Sequence, residues 1–172
     1  MAGTKGKQTV RDMVLSLGLI VLAAWVIYLF IPHDETEQEL KRVDYRVELL
    51  TARRAASYPV AAPEGLPDSW KATSVRFQGD ESDHWHLGFH DPDGRYVAVE
   101  QSTEKPSRFI ADATQDARKT GTTRQIGDET WTRYEGERYD ALVLENTGST
   151  TVVAGSASFD RLTKMAEALR TK

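Results

Sequence analysis

The sequence predicts an α+β protein, in which one N-terminal transmembrane helix precedes a mostly antiparallel β-sheet domain with packed helices. Three observations predict this class. Residues 13–31 carry no charge, residues 71–155 contain segments in which apolar and polar side chains alternate, and segments near 106–119 and 158–170 have apolar residues at helical spacing. Alternation with a period of two is typical of strands, and spacings of three and four are typical of amphipathic helices.

The uncharged segment 13–31 is long enough to cross a lipid bilayer. Its 19 residues, at about 1.5 Å each, match a hydrocarbon core about 30 Å thick. Backbone amides inside lipid must bond within the segment, so the segment must be helical. Pro32 then ends the helix. Aromatic residues near one end favour the lipid–water interface, and the anchor residues expected to contact lipid include Met13, Leu15, Leu19, Trp25, Tyr28 and Ile31.

The charges on either side of this segment predict its orientation. Residues 1–12 contain three bases and one acid, whereas four acids lie between residues 34 and 39 before the next base. Because positive charge is retained on the cytoplasmic side, the tail 1–12 is predicted to be cytoplasmic and the C-terminal part extracytoplasmic, in a single-pass protein of the cell membrane. The run is longer than that of a cleaved signal peptide and no small-residue cleavage site follows, so an uncut anchor is favoured. The bilayer is thus the first predicted partner.

Residues 32–57 form a juxtamembrane connector before the extracytoplasmic domain, which is predicted to span residues 58–172. A helix is favoured within the connector, although residues 43–50 also fit a short strand, and packing on the domain is favoured over a stalk or a dimerising segment. The helical spacing is carried by Val43, Val47, Leu50 and Arg54. Three prolines in residues 58–70 favour extended backbone there.

The next three segments, at about 71–77, 84–90 and 95–102, are predicted strands. The second alternates most clearly, with aromatic and aliphatic side chains on one face and polar ones on the other. The first set is Trp85, Leu87 and Phe89, and the second is His84, His86, Gly88 and His90. The turn at residues 91–94 combines proline, aspartate and glycine, which indicates a hairpin.

A helix is predicted at about 106–119, with Pro106 in its first turn and Gly121 closing it. Strands follow at about 122–126, 129–135, 139–145 and 150–155, and the last two contain continuous apolar runs typical of central strands. A final helix is predicted at about 158–170, capped by Ser158. Short connections between strands indicate an antiparallel sheet with helices packed on it, and a Mog1/PsbP-like fold fits this order by analogy.

Composition excludes some partners. After residue 31 the chain holds 19 Lys and Arg against 25 Asp and Glu, a net charge of −6. This balance argues against nucleic acid or an anionic lipid surface as a partner. The chain has no cysteine, so the domain depends on its core rather than on disulfides, and lipoprotein processing is excluded.

Two histidines are the best candidates for chemistry. His84 and His86 are two apart on a predicted strand, so both imidazoles point the same way and could bind one metal ion, with Glu100 or Glu81 as a third ligand. A solvated polar sheet face explains the same pattern and is favoured. No cysteine and no serine in a G-x-S-x-G context offers a nucleophile. The junction at residues 155–158 could hold an anion, but an ordinary turn is favoured.

Several short motifs along the chain are characteristic when taken together. They are VRDM at 10–13, YLFIPHD at 28–34, VDY at 43–45, ARRAASYPVAAPEGLP at 52–67, SWKATS at 69–74, WHLGF at 85–89, YVAVEQS at 96–102, Trp131 and AGSAS at 154–158. With these motifs the chain resembles a family of single-pass actinobacterial membrane proteins known only as a domain of unknown function, the domain-of-unknown-function 4245 family. The resemblance implies an anchored, extracytoplasmic arrangement and does not imply any activity.

Three functions are therefore carried forward. A non-catalytic binding or assembly module of the cell envelope is favoured, with another envelope or membrane protein as a further candidate partner. The first alternative is a small-ligand carrier or sensor, in which the sheet and the helix at 107–118 enclose a pocket. The second is a metal-dependent hydrolase using His84 and His86. No cofactor is expected.

Overall fold

The computed structural model describes residues 5–30, 41–80 and 82–171. The chain divides into two compact units, Met1–Glu39 and Leu40–Lys172. We call the second unit the folded domain. Several predictions fall outside the described residues: the lipid contact of Ile31, the helix end at Pro32, the first part of the connector, and Glu81 as a ligand.

The described residues of the first unit form one helix, α1 (Lys5–Phe30). The helix begins within the segment assigned to the cytoplasmic tail, because the polar residues before Met13 continue the helical backbone. Five of the predicted anchor side chains are 58–68% exposed, namely Met13, Leu15, Leu19, Trp25 and Tyr28. Within the part of the chain that the structure describes, no helix combines the length and apolar content needed to cross a membrane.

The folded domain is an α+β unit built on an antiparallel sheet, which confirms that part of the predicted fold class. Its helices are α2 (Arg46–Ala55), α3 (Pro106–Thr114) and α4 (Phe159–Ala168). Its strands are β1 (Ala62–Pro63), β2 (Lys71–Gln78), β3 (His84–His90), β4 (Tyr96–Ser102), β5 (Arg118–Ile126), β6 (Glu129–Glu135), β7 (Asp140–Asn146), β8 (Ser149–Gly155) and β9 (Leu169–Arg170). Seven strands form the main sheet in the order β2-β3-β4-β8-β7-β6-β5, and β1 pairs with β9 in a separate two-stranded sheet.

The two faces of the main sheet are covered differently. One face carries the larger core, in which Trp85, Leu87 and Phe89 of β3 pack with Leu162 and Met165 of α4. The opposite face is covered in part by α3, whose Phe109 and Ile110 pack on β7 and β8. The prediction that the last two strands are central and covered on both sides is therefore confirmed. The predicted facing of the β3 side chains is also confirmed, since the three apolar ones are buried.

The helix predicted at 106–119 is too long. Helix α3 ends at Thr114, and Gln115 and Asp116 adopt the left-handed conformation, with φ of 55° and 66°. The Thr114 hydroxyl donates to the Ile110 carbonyl and accepts from the Ala117 amide. Because non-glycine residues end the helix, Gly121 does not close it. Gly121 instead lies inside β5, where the register with β6 shifts.

The final helix is also shorter than predicted. It ends at Ala168, and Leu169 and Arg170 pair with β1 instead of continuing it. Ser158 occupies the N-cap position, but its side chain makes no capping hydrogen bond. The ends of both helices were therefore the least predictable part of the α structure, as expected from local sequence signals.

The helical interpretation of the connector is confirmed for residues 46–55, which form α2. The predicted apolar face is wrong, because Val47 and Leu50 are exposed, whereas Ala52 is fully buried and is accompanied by Tyr45 and Leu49. This helix packs on the larger core and belongs to the same compact unit as the sheet.

Candidate functional site

Five polar side chains meet on the sheet face opposite the larger core. We call Ser74, His84, His86, Tyr96 and Glu100 the polar cluster. They lie on β2, β3 and β4, three adjacent antiparallel strands. Alternation puts every second residue of a strand on the same face. Cross-strand pairing of His86 with Glu100, and of Ser74 with Gly88, then brings the side chains together from distant parts of the sequence.

Glu100 is the centre of the cluster. Its Oε1 lies 2.6 Å from His86 Nδ1 and its Oε2 lies 3.0 Å from His84 Nε2. The Glu100 side chain is only 12% exposed. Burial acts to raise the pKa of Glu100, but the hydrogen bonds from the two imidazoles outweigh it and lower the pKa below its ordinary value. The carboxylate therefore stays ionised although it is buried.

The second nitrogen of His86 continues the chain of contacts. His86 Nε2 lies 2.8 Å from the Ser74 hydroxyl oxygen. The contacts therefore run from a serine hydroxyl to an imidazole and on to a buried carboxylate. With Nδ1 donating to Glu100, Nε2 is free to accept the Ser74 proton. This connection is the one found in hydroxyl nucleophiles activated by a histidine and an acid.

A glycine makes room for this arrangement. A Cβ atom placed on Gly88 would stand 2.3 Å from Ser74 Oγ and 2.8 Å from Tyr96 Oη. Any side chain at this position would therefore displace one or both hydroxyls. Burial raises the pKa of Tyr96, and the hydrogen bond between Tyr96 and Ser74 acts in the opposite direction. The Tyr96 hydroxyl is thus neutral at physiological pH and lies beside the serine.

A cleft of about 310 Å³ opens beside the cluster, between α3 and the strands β3 and β4. Phe109 of α3 meets the His84 ring edge to face, with ring centroids 5.5 Å apart. Tyr139 approaches Tyr96, with ring centroids 6.0 Å apart. The cleft therefore has aromatic walls and a polar floor, which includes Glu100. Small-ligand sites usually combine these two features.

The predicted metal site lies in this cluster, and Glu100, one of the two suggested third ligands, does join the histidines. Each imidazole, however, faces a different oxygen of Glu100. Across residues 5–30, 41–80 and 82–171, no three histidine, aspartate or glutamate side chains are arranged to hold a metal ion. Metal binding by His84 and His86 stays a prediction, and elemental analysis of the purified chain tests it directly.

The other polar features have structural partners. His90, on the same face of β3, lies 3.3 Å from the Thr73 hydroxyl through its Nδ1 and is not part of the cluster. The Ser156 hydroxyl accepts a hydrogen bond from the Tyr96 amide. Ser156 of the strand–helix junction at residues 155–158 therefore has a structural role. A larger groove of about 720 Å³ contains Gln101, whose side-chain amide is fully engaged with Ala61 and Thr151.

Sequence reasoning missed Ser74, because it searched for a serine in a local motif. The serine, the histidine and the glutamate lie on three different strands, so only the strand register joins them. One signal for the site was present in the sequence. The short turn at residues 91–94 joins the two predicted strands, and it places His86 opposite Glu100.

Comparison with known proteins assigns the chain to a family. The search of curated proteins found no match to the chain. A family described as protein of unknown function (DUF4245) matches residues 5–169. Because this match covers nearly the whole sequence, the chain belongs to the DUF4245 family of proteins of unknown function.

Proposed function

We propose that this protein is a single-pass membrane protein whose folded domain lies outside the cytoplasm and acts as a binding module of the cell envelope. The anchor is proposed from residues 13–31, which hold no charge, and the orientation from the bases before them and the acids after them. The large apolar side chains described along α1 are 41–68% exposed. Such a surface is costly in water and is stabilised in lipid, which supports the proposal.

Membrane fractionation tests the anchor. The full chain is expected to stay with membranes after alkaline carbonate extraction, and a chain that begins at Leu40 is expected in the soluble fraction. Replacing Leu19 by Arg places a charge within the apolar run and costs about 3 kcal/mol of insertion free energy. Recovery of the full chain in the carbonate supernatant would contradict the anchor. Protection of a C-terminal tag from protease in intact spheroplasts would contradict the orientation.

The observation that carries the binding proposal is the polar cluster beside its cleft. Burying a carboxylate costs several kcal/mol unless its partners compensate. Here Glu100 is buried on a sheet face that α3 covers only in part, where an apolar residue would pack at lower cost. Perturbed, partly buried groups in a cleft are typical of functional sites.

A small polar ligand is the best-supported occupant, because the cleft has the volume for a few heavy atoms and its floor offers imidazole, hydroxyl and carboxylate groups. This supports the carrier or sensor alternative as a specific form of the binding module. Amide NMR spectra of the folded domain, recorded with a library of small amines, sugars and carboxylates, test it. Binding is expected to shift signals of β4 and α3. Shifts confined to the groove around Gln101, or no shifts from any compound, would count against it.

A protein partner is tested separately. The full chain, purified by affinity from solubilised membranes, is expected to bring down the same envelope protein in repeated preparations, and the chain beginning at Leu40 serves as the control. Repeated recovery of the bait alone would count against an assembly role.

A further inference from the structure

We propose that Ser74 is an activated nucleophile, and that Ser74, His86 and Glu100 together cleave a carboxylic ester through an acyl-serine intermediate. The inference rests on the binding function proposed above, because Tyr96 and Glu100 belong both to the polar cluster and to the lining of the cleft, but it adds a reaction. It rests on the order of three groups, the distances between them and the partial exposure of the serine.

The order of the groups meets the requirements of a serine nucleophile. Ser74 Oγ lies 2.8 Å from His86 Nε2, and His86 Nδ1 lies 2.6 Å from Glu100 Oε1. The carboxylate thus holds the Nδ1 proton and leaves Nε2 as the base that faces the hydroxyl. His84 holds the other oxygen of Glu100 at 3.0 Å, which fixes the orientation of the carboxylate.

The groups around Ser74 suit a reacting carbonyl. Gly88 has no side chain, so the hydroxyls of Ser74 and Tyr96 share the space above its backbone. Helix α3 packs on β7 and β8, while Ser74 on β2 is only partly buried. The Tyr96 hydroxyl beside Ser74 can donate to a developing oxyanion. Arg76 lies on the same face two residues after Ser74 and is exposed, so its charge favours the same anion.

The proposed reaction balances without a cofactor. Ser74 Oγ attacks the ester carbonyl carbon, and its proton passes to His86 Nε2. The bond from that carbon to the alcohol oxygen then breaks, and the alcohol leaves with the proton from Nε2. A water molecule repeats the attack on the acyl-serine, giving its proton to Nε2, and Ser74 leaves and regains that proton. The net change is ester and water to carboxylic acid and alcohol.

A buried polar network kept only for stability is the competing explanation. Diisopropyl fluorophosphate separates the two, because it phosphorylates an activated serine hydroxyl far faster than an ordinary one. The Ser74 oxygen would form a bond to phosphorus, fluoride would leave, and His86 would take the proton. The full chain in detergent micelles is treated with this reagent, and the adduct is followed by intact-mass and peptide-mass spectrometry.

One adduct per chain is expected, and it is expected on Ser74. Ser74→Ala should remove it, and His86→Gln should slow its formation at least about 100-fold, the usual contribution of a positioned base. Ser149→Ala, at the start of β8, and Glu137→Gln, between β6 and β7, are matched controls away from the cluster and are expected to react like the wild type. Amide NMR spectra establish that each variant is folded. A slow release of p-nitrophenol from p-nitrophenyl acetate should show the same dependence on Ser74.

Three results would overturn the proposal: no adduct under conditions that fully modify a serine protease, an adduct on another residue, or an unchanged rate in folded His86→Gln. The outcome is distinguishable from a failure of the binding proposal. A chain that binds small ligands in the cleft without labelling at Ser74 retains the binding function and loses the nucleophile. If Ser74 is labelled but no library compound binds, the nucleophile is retained and the binding proposal fails.

Discussion

Two strand glycines offer a comparison that tests the geometry of the polar cluster against that of the sheet. In Gly88→Ala the new methyl group would meet side-chain atoms, with Ser74 Oγ at 2.3 Å and Tyr96 Oη at 2.8 Å. In Gly155→Ala it would meet the backbone, with the Tyr96 carbonyl oxygen at 2.0 Å. The same chemical change should therefore have two different consequences.

The expected magnitudes follow from what can move. At Gly88 the Ser74 hydroxyl can rotate away, which loses its contact with His86, a hydrogen bond worth about 1 kcal/mol. Alanine also restricts the unfolded chain more than glycine does, which raises the free energy of unfolding by about 0.5–1 kcal/mol. The net change in the free energy of unfolding should stay within about 1 kcal/mol. At Gly155 the Tyr96 carbonyl also accepts from the Ser156 amide, so the strands must separate, at a cost of about 3 kcal/mol or more.

Urea and thermal unfolding followed by tryptophan fluorescence measure both costs. The Tm should fall by at most about 5 °C in Gly88→Ala and by about 10 °C or more in Gly155→Ala, for a domain of this size. Long-range ¹H–¹⁵N spectra of the histidine side chains should show His86 altered in Gly88→Ala only. Equal destabilisation by the two changes would refute the reasoning, as would an unaltered His86 spectrum in Gly88→Ala.

Two further predictions concern buried polar groups. Glu100→Gln should lower the free energy of unfolding at pH 7 by about 2 kcal/mol, the value of hydrogen bonds to a charged group. Because the folded-state pKa of Glu100 is lowered, the wild type should keep this advantage above the unfolded pKa of about 4.3 and lose it as the pH falls through the folded value. Urea unfolding between pH 2.5 and 7 measures it, and a difference independent of pH would contradict the assignment. Trp85→Phe should cost about 1–2 kcal/mol more than Trp70→Phe, since the Trp85 indole donates to the Ala61 carbonyl, whereas the buried Trp70 indole has no partner among the described residues. Equal Tm shifts in the two variants would contradict that difference.

The sequence predicted the sheet well because its signals were local. Alternation in β3 assigned each side chain to the correct face, and the turn at residues 91–94 formed as expected, with the Asp91 carboxylate accepting from the amides of Asp93 and Arg95. The end of α3 was not predictable, because left-handed Gln115 and Asp116 replace the expected glycine. Propensity alone gives little warning of such a stop, since residues other than glycine rarely adopt this conformation.

The candidate site was predictable only in part, for a different reason. The pair of histidines on one strand face followed from the period of two. The relation of His86 to Ser74 and Glu100 depends on which strands are neighbours and on their register, which includes an irregularity between Ala72 and Ser74. A shift of one residue there would turn the serine to the other face of the sheet. No local pattern contains that information.

The burial of Glu100 distinguishes the polar cluster from an ordinary solvated sheet face. An antiparallel sheet needs only one covered face, so polar residues on β2, β3 and β4 are permitted without any function. A solvated face, however, would leave its carboxylates in water, and Glu100 is nearly covered. The cost of its desolvation is offset only while both imidazoles remain. Removing either histidine leaves the buried carboxylate with one hydrogen bond fewer. The cluster therefore behaves as one unit, in which the orientation of His86 toward Ser74 depends on the same contacts that keep the carboxylate stable.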